Sequence, residues 1–521
     1  MMKSIFHILA FIIGFIHSIE SQYGKLDSTF NATGKVTTDF LHHSDGAIAG
    51  VLQSDGKIVV AGSAGNGTDS DFGVVRYNTN GSLDSTFGVH GKVITPIGNS
   101  YDHARSLKIQ TDGKIVVAGI SSQDTSNYFA LIRYHANGAV DSTFGIDGIT
   151  ILAIEGRSNF GTSLAIQNDG RMVIAGYVKT VNVDVLLARF NSDGIIDSTF
   201  GTYGKVITDV GLRDNVASAL AIQTDGKIVV GGSASYYPII DICLIRYNED
   251  GSLDSTFSAD GQVLTSISEY GDFATSIALQ PDGKIIAAGH TQLGDPNYSN
   301  YAFVVTRYNE DGTLDAGFGI DGYVITSFGA SDDGANSVAI QPDGKIIAVG
   351  QTSYLPDSDF ALSRYHSDGT IDTTWGIDGK VTTDFYSSRS GCSSVVIQPD
   401  GKIVALGGYD HGGQNDFALA RYLSGLVVGV IDLSSVDDVL IYPNPVQEYE
   451  TLEYTLKQDE TLTIELFNIA GQLIKTFVSQ RTSSRGTYRE SLHFDDNMLP
   501  GLYFLRLSTR HGGLSVKILK Q

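Results

Sequence analysis

The chain has 521 residues, of which 42% are hydrophobic and 18% charged, so it is long enough for more than one domain and for a sizeable buried core. Its 60 glycines, 25 tyrosines and 24 phenylalanines favour turn-rich β structure over helix. With 58 acidic and 35 basic residues the net charge is −23, which repels polyphosphate and anionic lipid headgroups and excludes nucleic acid as an expected partner.

The first predicted element is a secretory signal peptide at residues 1–21. Lys3 precedes a mostly apolar run at residues 5–16, and small residues follow at Ser18 and Ser21. This order is typical of a cleaved export signal, and the run is too short to span a bilayer comfortably. We therefore expect an exported protein whose mature form has no transmembrane segment.

Residues 22–424 consist of repeats. The phrase Gln-x-Asp-Gly, followed by Lys or Arg, recurs about every 57 residues, and a second phrase, such as RYNEDGSLDSTF at 246–257, follows it. A fixed period is the signature of stacked supersecondary units. The seven aspartates that mark the copies are Asp55, Asp112, Asp169, Asp225, Asp282, Asp343 and Asp400.

Each repeat contains four strand candidates, which in the second copy lie at 106–110, 114–119, 129–135 and 139–145. The first two candidates, and the last two, are joined by three residues that end in glycine. Such loops are typical of a type I turn closed by a residue with positive φ, so both connections are predicted to be tight antiparallel hairpins. A further β-like segment, GKVIT, follows the fourth candidate in several copies and is not assigned to the sheet.

The strands of the repeat do not alternate strictly between apolar and polar residues, so both faces of each small sheet should be covered by neighbours. Seven four-stranded sheets stacked face to face predict a seven-bladed β-propeller around a central channel. One column of small residues on the first strand fits crowding near that channel. This column comprises Gly50, Ser106, Ser163, Ala219, Ser276, Ser337 and Ser394.

An arginine on the third strand is predicted to face an aspartate across the second hairpin. Loss of one partner from a buried pair costs about 3–5 kcal/mol, whereas exposed pairs are worth about 0–1 kcal/mol. We interpret these pairs as structural. They are Arg76–Asp84, Arg133–Asp141, Arg189–Asp197, Arg246–Asp254, Arg307–Asp315 and Arg364–Asp372.

Two members of this series lack a partner in their own repeat. Arg421 has Gly429 where the aspartate should be, and Asp27 has Ile19 where the arginine should be. If the segment LDSTF at 26–30 becomes the outer strand of the last blade, these two residues form the seventh pair and the ring closes without a free edge. The sequence thus predicts a clasp between the two ends of the repeat region.

The repeat resembles a known family. SIALQPDGKIIAAG at 276–289 and RYNEDGTLDAGFG at 307–319 have the form of the delta-60 repeat, and the resemblance covers residues 26–422 in all seven copies. It implies an all-β propeller of the kind found in large secreted proteins of mostly unknown activity. The resemblance therefore supports the fold and adds little about function.

A second unit follows a predicted linker at 425–438. Residues 439–521 alternate between apolar and polar in several short segments, which predicts a small immunoglobulin-like β-sandwich of roughly seven strands. Four segments resemble the type A C-terminal sorting domain of the type IX secretion system. They are YPNP at 442–445, NIAGQLI at 468–474, LPGLYFLRL at 499–507 and the closing KILKQ.

This second resemblance implies a bacterium of the Bacteroidota type, with the type IX secretion machinery as a partner of the C-terminal domain. In that family the tail is often removed on export, and the cargo is released or fixed to surface lipopolysaccharide. We therefore expect a protein that is secreted or attached to the outer cell surface.

No motif predicts a metal or a cofactor. NEDGSLD at 248–254 has some of the acidic spacing of a calcium loop, but it lacks the acidic run and the downstream glutamate of an EF-hand. No nucleophile elbow or phosphate loop is present in the sequence. The sequence therefore offers no readable enzyme motif.

The histidines and cysteines show no ligand pattern. The histidines are interpreted as solvated loop residues and the two cysteines as unpaired thiols. The residues in question are His42, His43, His103, His290, His411, Cys243 and Cys392.

The repeat also predicts where a ligand binds. Both tight hairpins lie at one end of each blade, so the variable connections, such as 63–71 and 95–105, emerge at the other end. Loops on a rigid scaffold usually carry function, and tyrosine beside aspartate suits stacking on and hydrogen bonding to sugars or protein surfaces. The alternative is that these tyrosines cap the blade cores. The candidate residues are Tyr101, Asp102, Tyr128, Tyr236, Tyr237, Tyr270, Asp272, Tyr298, Tyr301, Tyr354, Tyr386, Tyr409 and His411.

Three functions fit this prediction. The first is a binding or adhesion module for a glycan or protein, with no cofactor. The second is an extracellular polysaccharide lyase or hydrolase whose acid and base come from the same loops. The third is a structural component of a surface layer. Titratable groups that converge with perturbed pKa values in one pocket favour the enzyme, and a shallow aromatic surface favours binding.

Overall fold

The computed structural model describes residues 23–123, 126–154, 157–211, 214–236, 239–294, 300–329, 332–354, 357–425, 436–442, 449–468, 473–494, 498, 501–509 and 512–520. The predicted signal peptide and residues 426–435 of the predicted linker lie outside the described residues. All regular secondary structure in the described residues is β. These residues include no helix with the length and hydrophobicity needed to cross a membrane.

Each repeat folds into one antiparallel four-stranded sheet. In chain order the strands are β1 (Lys35–Thr38), β2 (Gly46–Leu52), β3 (Ile58–Gly65), β4 (Ser70–Tyr77), β5 (Lys92–Thr95), β6 (Asp102–Ile109), β7 (Ile115–Gln123), β8 (Ser126–Tyr134), β9 (Ile149–Leu152), β10 (Asn159–Ile166), β11 (Met172–Lys179), β12 (Val183–Phe190), β13 (Lys205–Thr208), β14 (Asp214–Ile222), β15 (Ile228–Tyr236), β16 (Ile239–Tyr247), β17 (Gln262–Thr265), β18 (Asp272–Leu279), β19 (Ile285–Gln292), β20 (Tyr301–Tyr308), β21 (Tyr323–Thr326), β22 (Asp332–Ile340), β23 (Ile346–Tyr354), β24 (Asp357–Tyr365), β25 (Lys380–Thr383), β26 (Ser390–Ile397), β27 (Ile403–Asp410) and β28 (Asn415–Tyr422).

These strands form seven blades. Blades 1 to 6 are β2–β5, β6–β9, β10–β13, β14–β17, β18–β21 and β22–β25, and blade 7 is β26–β28 with β1. We call the strands of a blade a, b, c and d from the axis outward, so that β1 is strand d of blade 7. Strand a of blade 1 lies against strand a of both blade 2 and blade 7, and the ring is therefore closed.

An N-terminal strand completes the last blade, as the sequence predicted, but this strand is Lys35–Thr38 and not the LDSTF segment at 26–30. Strand β1 pairs antiparallel with β28, with Lys35 opposite Ala420 and Thr38 opposite Phe417. Because β1 is remote from β28 in the chain, this pairing joins the two ends of the repeat region and leaves blade 7 with the same four strands as the others.

The predicted position of the fourth strand is wrong. Strand d is the KVIT segment, such as β5, whereas the DSTF segment before it forms turns. Asp84 Oδ1 accepts hydrogen bonds from Thr86 N at 3.1 Å and Thr86 Oγ1 at 2.7 Å, and Phe87 N donates to Asp84 O at 3.0 Å. This local bonding of the aspartate side chain competes with a sheet ladder, so the turn prevails over the strand.

Both faces of the blades are covered by neighbours. All eight residues of β4 are buried, and each hydrophobic cluster of the propeller joins two neighbouring blades. One such cluster contains Val60 and Val75 of blade 1 with Val404 and Leu406 of blade 7. Cys243 and Cys392 lie buried and unpaired in two of the other clusters. The fold is thus stabilised by apolar burial between blades rather than within them.

The repeated arginine links neighbouring blades. Arg133 Nε lies 2.8 Å from Asp141 Oδ2, and Nη2 donates to Thr143 Oγ1 at 3.3 Å. Its Nη1 donates to the carbonyl of Ser192 in the next blade at 2.5 Å, and the guanidinium lies 4.7 Å above the ring of Phe144. The recurrent motif is therefore used for structure, because its arginine, aspartate, threonine and phenylalanine all meet at one junction.

The same junction forms at the seam between the chain ends. Arg421 Nε lies 2.9 Å from Asp27 Oδ2, and its Nη2 donates to Thr29 Oγ1 at 2.9 Å. The guanidinium stacks 4.6 Å from the ring of Phe30 and donates to the carbonyl of Thr79 in blade 1 at 2.5 Å. The N-terminal segment thus supplies every group that the other blades take from their own repeat.

A bulge interrupts strand a at the same place in every blade. In blade 2 the register shifts between Ala104 and Ser106, so Arg105 is the extra residue. A glycine of strand b stands opposite each bulge, and a Cβ on any of them would lie 1.8–2.0 Å from a carbonyl oxygen of strand a. These glycines are Gly62, Gly119, Gly176, Gly232, Gly289, Gly350 and Gly407. The bulge therefore requires a residue without a side chain at this position.

We expect Gly289→Ala to destabilise the propeller by about 3 kcal/mol, because its Cβ would lie 1.8 Å from Phe273 O and the backbone must shift. Urea unfolding followed by fluorescence measures the change. The matched control is Gly46→Ala, since no atom lies within 4 Å of the added Cβ and its stability should change by less than about 0.5 kcal/mol. Equal effects of the two substitutions would contradict this role of the bulge.

The C-terminal part folds as a β-sandwich, as the sequence predicted. One sheet has the order β29–β30–β33 and the other β32–β31–β34–β35. Their facing side chains, which include Leu452, Ile464 and Leu505, form one buried core. The strands are β29 (Val436–Tyr442), β30 (Tyr449–Leu456), β31 (Glu460–Asn468), β32 (Leu473–Ser483), β33 (Gly486–His493), β34 (Gly501–Thr509) and β35 (Gly512–Lys520).

Candidate ligand-binding face

The two ends of the propeller differ in sequence and in structure. At the end that we call the hairpin face, the a–b and c–d connections form the same turns in each repeat, with Gly56 and Gly81 at φ of 83° and 86° in blade 1. At the opposite end, the loop face, the b–c connections and the connections from strand d to the next blade vary in sequence. Variation is thus confined to the loop face, where we look for a site.

A ring of buried polar side chains shapes the loop face. Each lies at the start of a strand a: Asp45, Asp102, Asn159, Asn215, Asp272, Asp333 and Ser390. Asp102 Oδ2 accepts hydrogen bonds from Ile97 N at 2.8 Å and Gly98 N at 2.9 Å, and Asp272 binds its own loop in the same way. Since Asp102 and Asp272 are 0% exposed, these two predicted ligand-binding residues lie inside the protein and hold loops in place.

A groove of about 450 Å³ opens on the loop face beside blade 1. Tyr101 is 52% exposed, and its ring lies nearly parallel to that of His103, with the centroids 6.4 Å apart. His103 Nδ1 lies 2.7 Å from Ser63 Oγ, and burial lowers the pKa of this imidazole. His43 and Asn415 line the other side of the groove. The groove therefore combines an exposed aromatic ring with several hydrogen-bonding groups.

Two further predicted residues meet at the seam of blade 7. Tyr386 and His411 both contact Tyr409, with ring centroids 5.8 Å and 5.9 Å away respectively. Tyr386 is 61% exposed, whereas Tyr409 is buried, and Lys35 Nζ lies 4.9 Å from the Tyr386 ring. This cluster presents a tyrosine and a histidine to solvent on a buried aromatic support.

The remaining predicted tyrosines are dispersed. Tyr128 is half-buried in β8, and Tyr236 is exposed at the end of β15. No contact among the described residues joins either of them to the groove. Tyr354 ends β23, and its side chain lies outside the description, as do Tyr237 and Tyr298 as a whole. The structure thus places Tyr101 in the groove, brings Tyr386 and His411 together on Tyr409, and leaves Tyr128 and Tyr236 in other blades.

The interpretation of His103 and His290 as loop residues is wrong. His103 lies in β6 and His290 in β19, and neither is solvated along its whole ring. The His290 ring stacks on Phe273 at 4.6 Å and meets the edge of Tyr301 at 5.3 Å. Burial lowers the pKa of His290 to about 4, because the charged imidazolium is disfavoured there. Both histidines lie at positions that are in a strand in every repeat, and alignment of the repeats could have shown this.

One group of acidic residues at the seam has a geometry that could hold a cation. Oxygen atoms of Asp39, Asp45 and Asp416 all lie within 4.8 Å of one another. Asp45, however, accepts hydrogen bonds from Phe40 N at 2.7 Å and Gly65 N at 2.9 Å, so its two oxygens already serve the fold. Burial and the neighbouring carboxylates raise the pKa of Asp45 to about 6. The hairpin segment 248–254 has no part in this group.

Models of known families match both parts of the chain. The domain of unknown function (DUF5122) beta-propeller matches residues 53–87, 110–144, 167–200, 223–257, 280–318, 341–374 and 398–426. The propeller region thus contains seven repeats of this beta-propeller family. The secretion system C-terminal sorting domain matches residues 440–521, and both resemblances seen in the sequence are thereby confirmed.

The sorting domain establishes the destination of this propeller protein. Domains of this family are read by the type IX secretion machinery, so the protein is a client of that machinery. It is secreted or attached to the outer surface of a Bacteroidota-type cell.

Several solved structures resemble this chain at low identity. A catalytically inactive virginiamycin B lyase from Staphylococcus aureus, crystallised with quinupristin, is 10% identical over 74% of this chain and 98% of its own, with a TM-score of 0.40. A polysaccharide lyase described as an ulvan lyase is 10% identical over 75% and 96%, with a TM-score of 0.45. Sqt1 of Chaetomium thermophilum is 13% identical over 74% and 96%, with a TM-score of 0.39. No curated protein sequence matches the chain.

Proposed function

We propose that this exported propeller is a binding or adhesion module that holds a glycan or protein ligand on its loop face. In the domain division that we propose, residues 22–424 bind the ligand and residues 439–521 direct export. The observation that carries this proposal is the groove at blade 1, where Tyr101 stands exposed on His103. The hairpin face is a weaker candidate for ligand binding, because the arginine, aspartate and threonine side chains that recur there already bond to one another and to the next blade.

The chemistry of the groove fits a glycan. A sugar ring stacks on an aromatic face such as that of Tyr101, and its hydroxyls need donors and acceptors at the edge. His43, Ser44 and Asn415 line the groove and can supply them. The exposed pair Tyr386 and His411 at the seam extends this surface toward blade 7. An extended ligand could then contact both clusters.

A glycan and polysaccharide array probed with the mature protein tests this proposal. We expect retention of specific glycans, and we expect Tyr101→Ala to weaken retention about tenfold or more through loss of the stacking ring. The control is Tyr203→Ala, which removes a tyrosine that is 79% exposed in the turn before β13 on the hairpin face. If both variants bind like the unmodified protein, or if no glycan and no surface protein is retained, the loop face is not the binding surface.

A second candidate function is a polysaccharide-active enzyme. Asp45 and His103 both line the groove, and both have pKa values shifted by burial, which is a frequent property of acid and base residues. The same array, scored for release of shortened products, separates the two functions. An enzyme predicts product release that His103→Gln abolishes while retention persists. Self-association without retention or release would instead indicate a structural surface-layer component.

A further inference from the structure

The central channel of the propeller has an uneven charge distribution. Strand a of every blade lines it, and it encloses about 510 Å³. The small residues of the predicted column stand around it, which places them where crowding was expected. Of the residues that line the channel, Arg105 and Lys108 are the charged ones, and no carboxylate is among them. This is notable in a chain with 58 acidic and 35 basic residues.

Both cations belong to one strand, β6 of blade 2, and both depart from the repeat. Lys108 occupies a column that is otherwise alanine or valine. The equivalents are Val51, Ala165, Ala221, Ala278, Ala339 and Val396. Arg105 is the bulged residue of its strand, and the equivalents at the other bulges are Ile48, Thr162, Ser218, Thr275, Asn336 and Ser393. The fold therefore does not require a positive charge at either position.

Neither cation is neutralised by the protein. The side chains of Arg105 and Lys108 make no hydrogen bond and no ion pair with a described residue. Both side chains are exposed to the solvent of the channel, and desolvation by the surrounding wall lowers the pKa of Lys108. Two cations that lack a carboxylate partner in one narrow channel would favour an anion there.

The channel wall adds hydroxyl donors. Ser106 Oγ accepts a hydrogen bond from Leu164 N at 3.1 Å, and Ser163 Oγ accepts one from Leu220 N at 3.2 Å. Ser276 Oγ is bonded to the next blade in the same manner. Because each oxygen already accepts from a backbone amide, its hydrogen remains to be donated, and among the described residues no acceptor takes it. These hydroxyls line the same channel as the two cations.

We propose that the channel binds a small oxyanion, such as a sulfate, phosphate or carboxylate group, between Arg105, Lys108 and the serine hydroxyls. Arginine and lysine beside hydroxyl donors are the groups that recognise such oxyanions. The ligand is small because the whole chain carries a net charge of −23, which repels long polyanions before they reach the channel. This site is separate from the groove at Tyr101.

Calorimetric titration of the mature protein with sulfate, phosphate and citrate at low ionic strength tests the proposal. We expect saturable binding of at least one of these anions that weakens as sodium chloride is added. Lys108→Ala and Arg105→Thr each restore the residue type of the other repeats, so the fold should tolerate them, and each should weaken binding about tenfold or more. Lys179→Ala, which removes an exposed lysine outside the channel, should leave binding unchanged.

The outcomes separate the alternatives. Absence of anion binding, or binding that the two channel variants leave intact while Lys179→Ala weakens it, overturns the proposal. Tight binding of a long sulfated polysaccharide in preference to sulfate overturns the choice of a small ligand. Tyr101→Ala should not affect anion titration, so failure of glycan retention and failure of anion binding are distinguishable.

Discussion

Replacement of Asp27 by alanine should destabilise the propeller by about 3–5 kcal/mol, because Arg421 would be left as a buried charge without its carboxylate. Asp27 and Arg421 are each 4% exposed, and the same arginine contacts Thr29 and Phe30 of the N-terminal segment. Urea unfolding at neutral pH measures the loss. The effect should exceed that of Tyr101→Ala, since Tyr101 is 52% exposed and carries no buried charge.

Two controls isolate the seam. Asp225→Ala removes an exposed aspartate that pairs with Lys227 at 3.3 Å, and should cost less than about 1 kcal/mol. Asp84→Ala removes the same kind of buried pair within one hairpin, so both buried variants lose stability. Only Asp27→Ala should let limited proteolysis release the N-terminal segment before the core is cut. A loss no larger than that of Asp225→Ala would refute the role of the clasp.

The stability of the propeller should fall as the pH drops below about 4, and one buried carboxyl should act in the opposite direction above that pH. On the acid side, burial alone would raise the pKa of Asp372, but hydrogen bonding from Thr374 and the charge of Arg364 bring it down to about 2. The corresponding aspartates Asp197 and Asp254 also have a pKa of about 2. Since an unfolded aspartate has a pKa of about 3.9, this stabilisation is complete above that value and is lost as the pH falls toward 2.

Above about pH 4, Asp45 has the opposite effect to the paired aspartates. Burial raises its pKa to about 6, so the folded state holds the proton more tightly than the unfolded chain does. The stability contributed by Asp45 therefore falls by about 3 kcal/mol as the pH rises from about 4 to about 6. His290, whose pKa burial lowers to about 4, opposes this fall, because its contribution to stability is regained as the pH rises above its folded pKa.

Urea unfolding measured between pH 2 and pH 8 checks this profile. Between pH 4 and pH 6 the stability of Asp45→Asn should change by about 3 kcal/mol more favourably than that of the unmodified protein, and the acid limb should be unchanged. Asparagine occupies the equivalent position at Asn159 and Asn215 without titrating. The same pH profile in both proteins would contradict the assignment of this carboxyl.

The sequence predicted the blades and the clasp because the residues that form them recur. Turn glycines such as Gly56 occur at the same place in each repeat. The arginine–aspartate pair also occurs once in each repeat, so Asp27 and Arg421, which each lack a partner in their own repeat, identified the seam. Strand d escaped prediction because it has only four residues, whereas the candidate next to it, such as 139–145, is longer and contains the turn-forming Asp141. Periodicity thus reveals connectivity better than it reveals short strands.

The candidate site was predicted less well. The loop face followed from the hairpins, but the burial of Asp102 depends on backbone amides of its own loop, which no spacing reveals. Arg105 escaped notice because of the bulge in β6. The bulge breaks the two-residue alternation of the strand, so the sequence no longer shows which face of the sheet carries each side chain. Comparison of the columns across repeats would have marked Lys108, since it replaces alanine or valine.

The seam between the two ends of the repeat region should slow unfolding of the protein outside the cell. Exported proteins commonly resist unravelling through covalent cross-links, yet both cysteines here are buried and unbonded. The first strand of the propeller is hydrogen-bonded into its last blade, so no blade at either end of the repeat region is left with an unpaired outer edge. Unfolding by proteases or by mechanical shear therefore has no terminal blade at which to start. The noncovalent latch thus gives the propeller the kinetic durability that disulfides supply elsewhere.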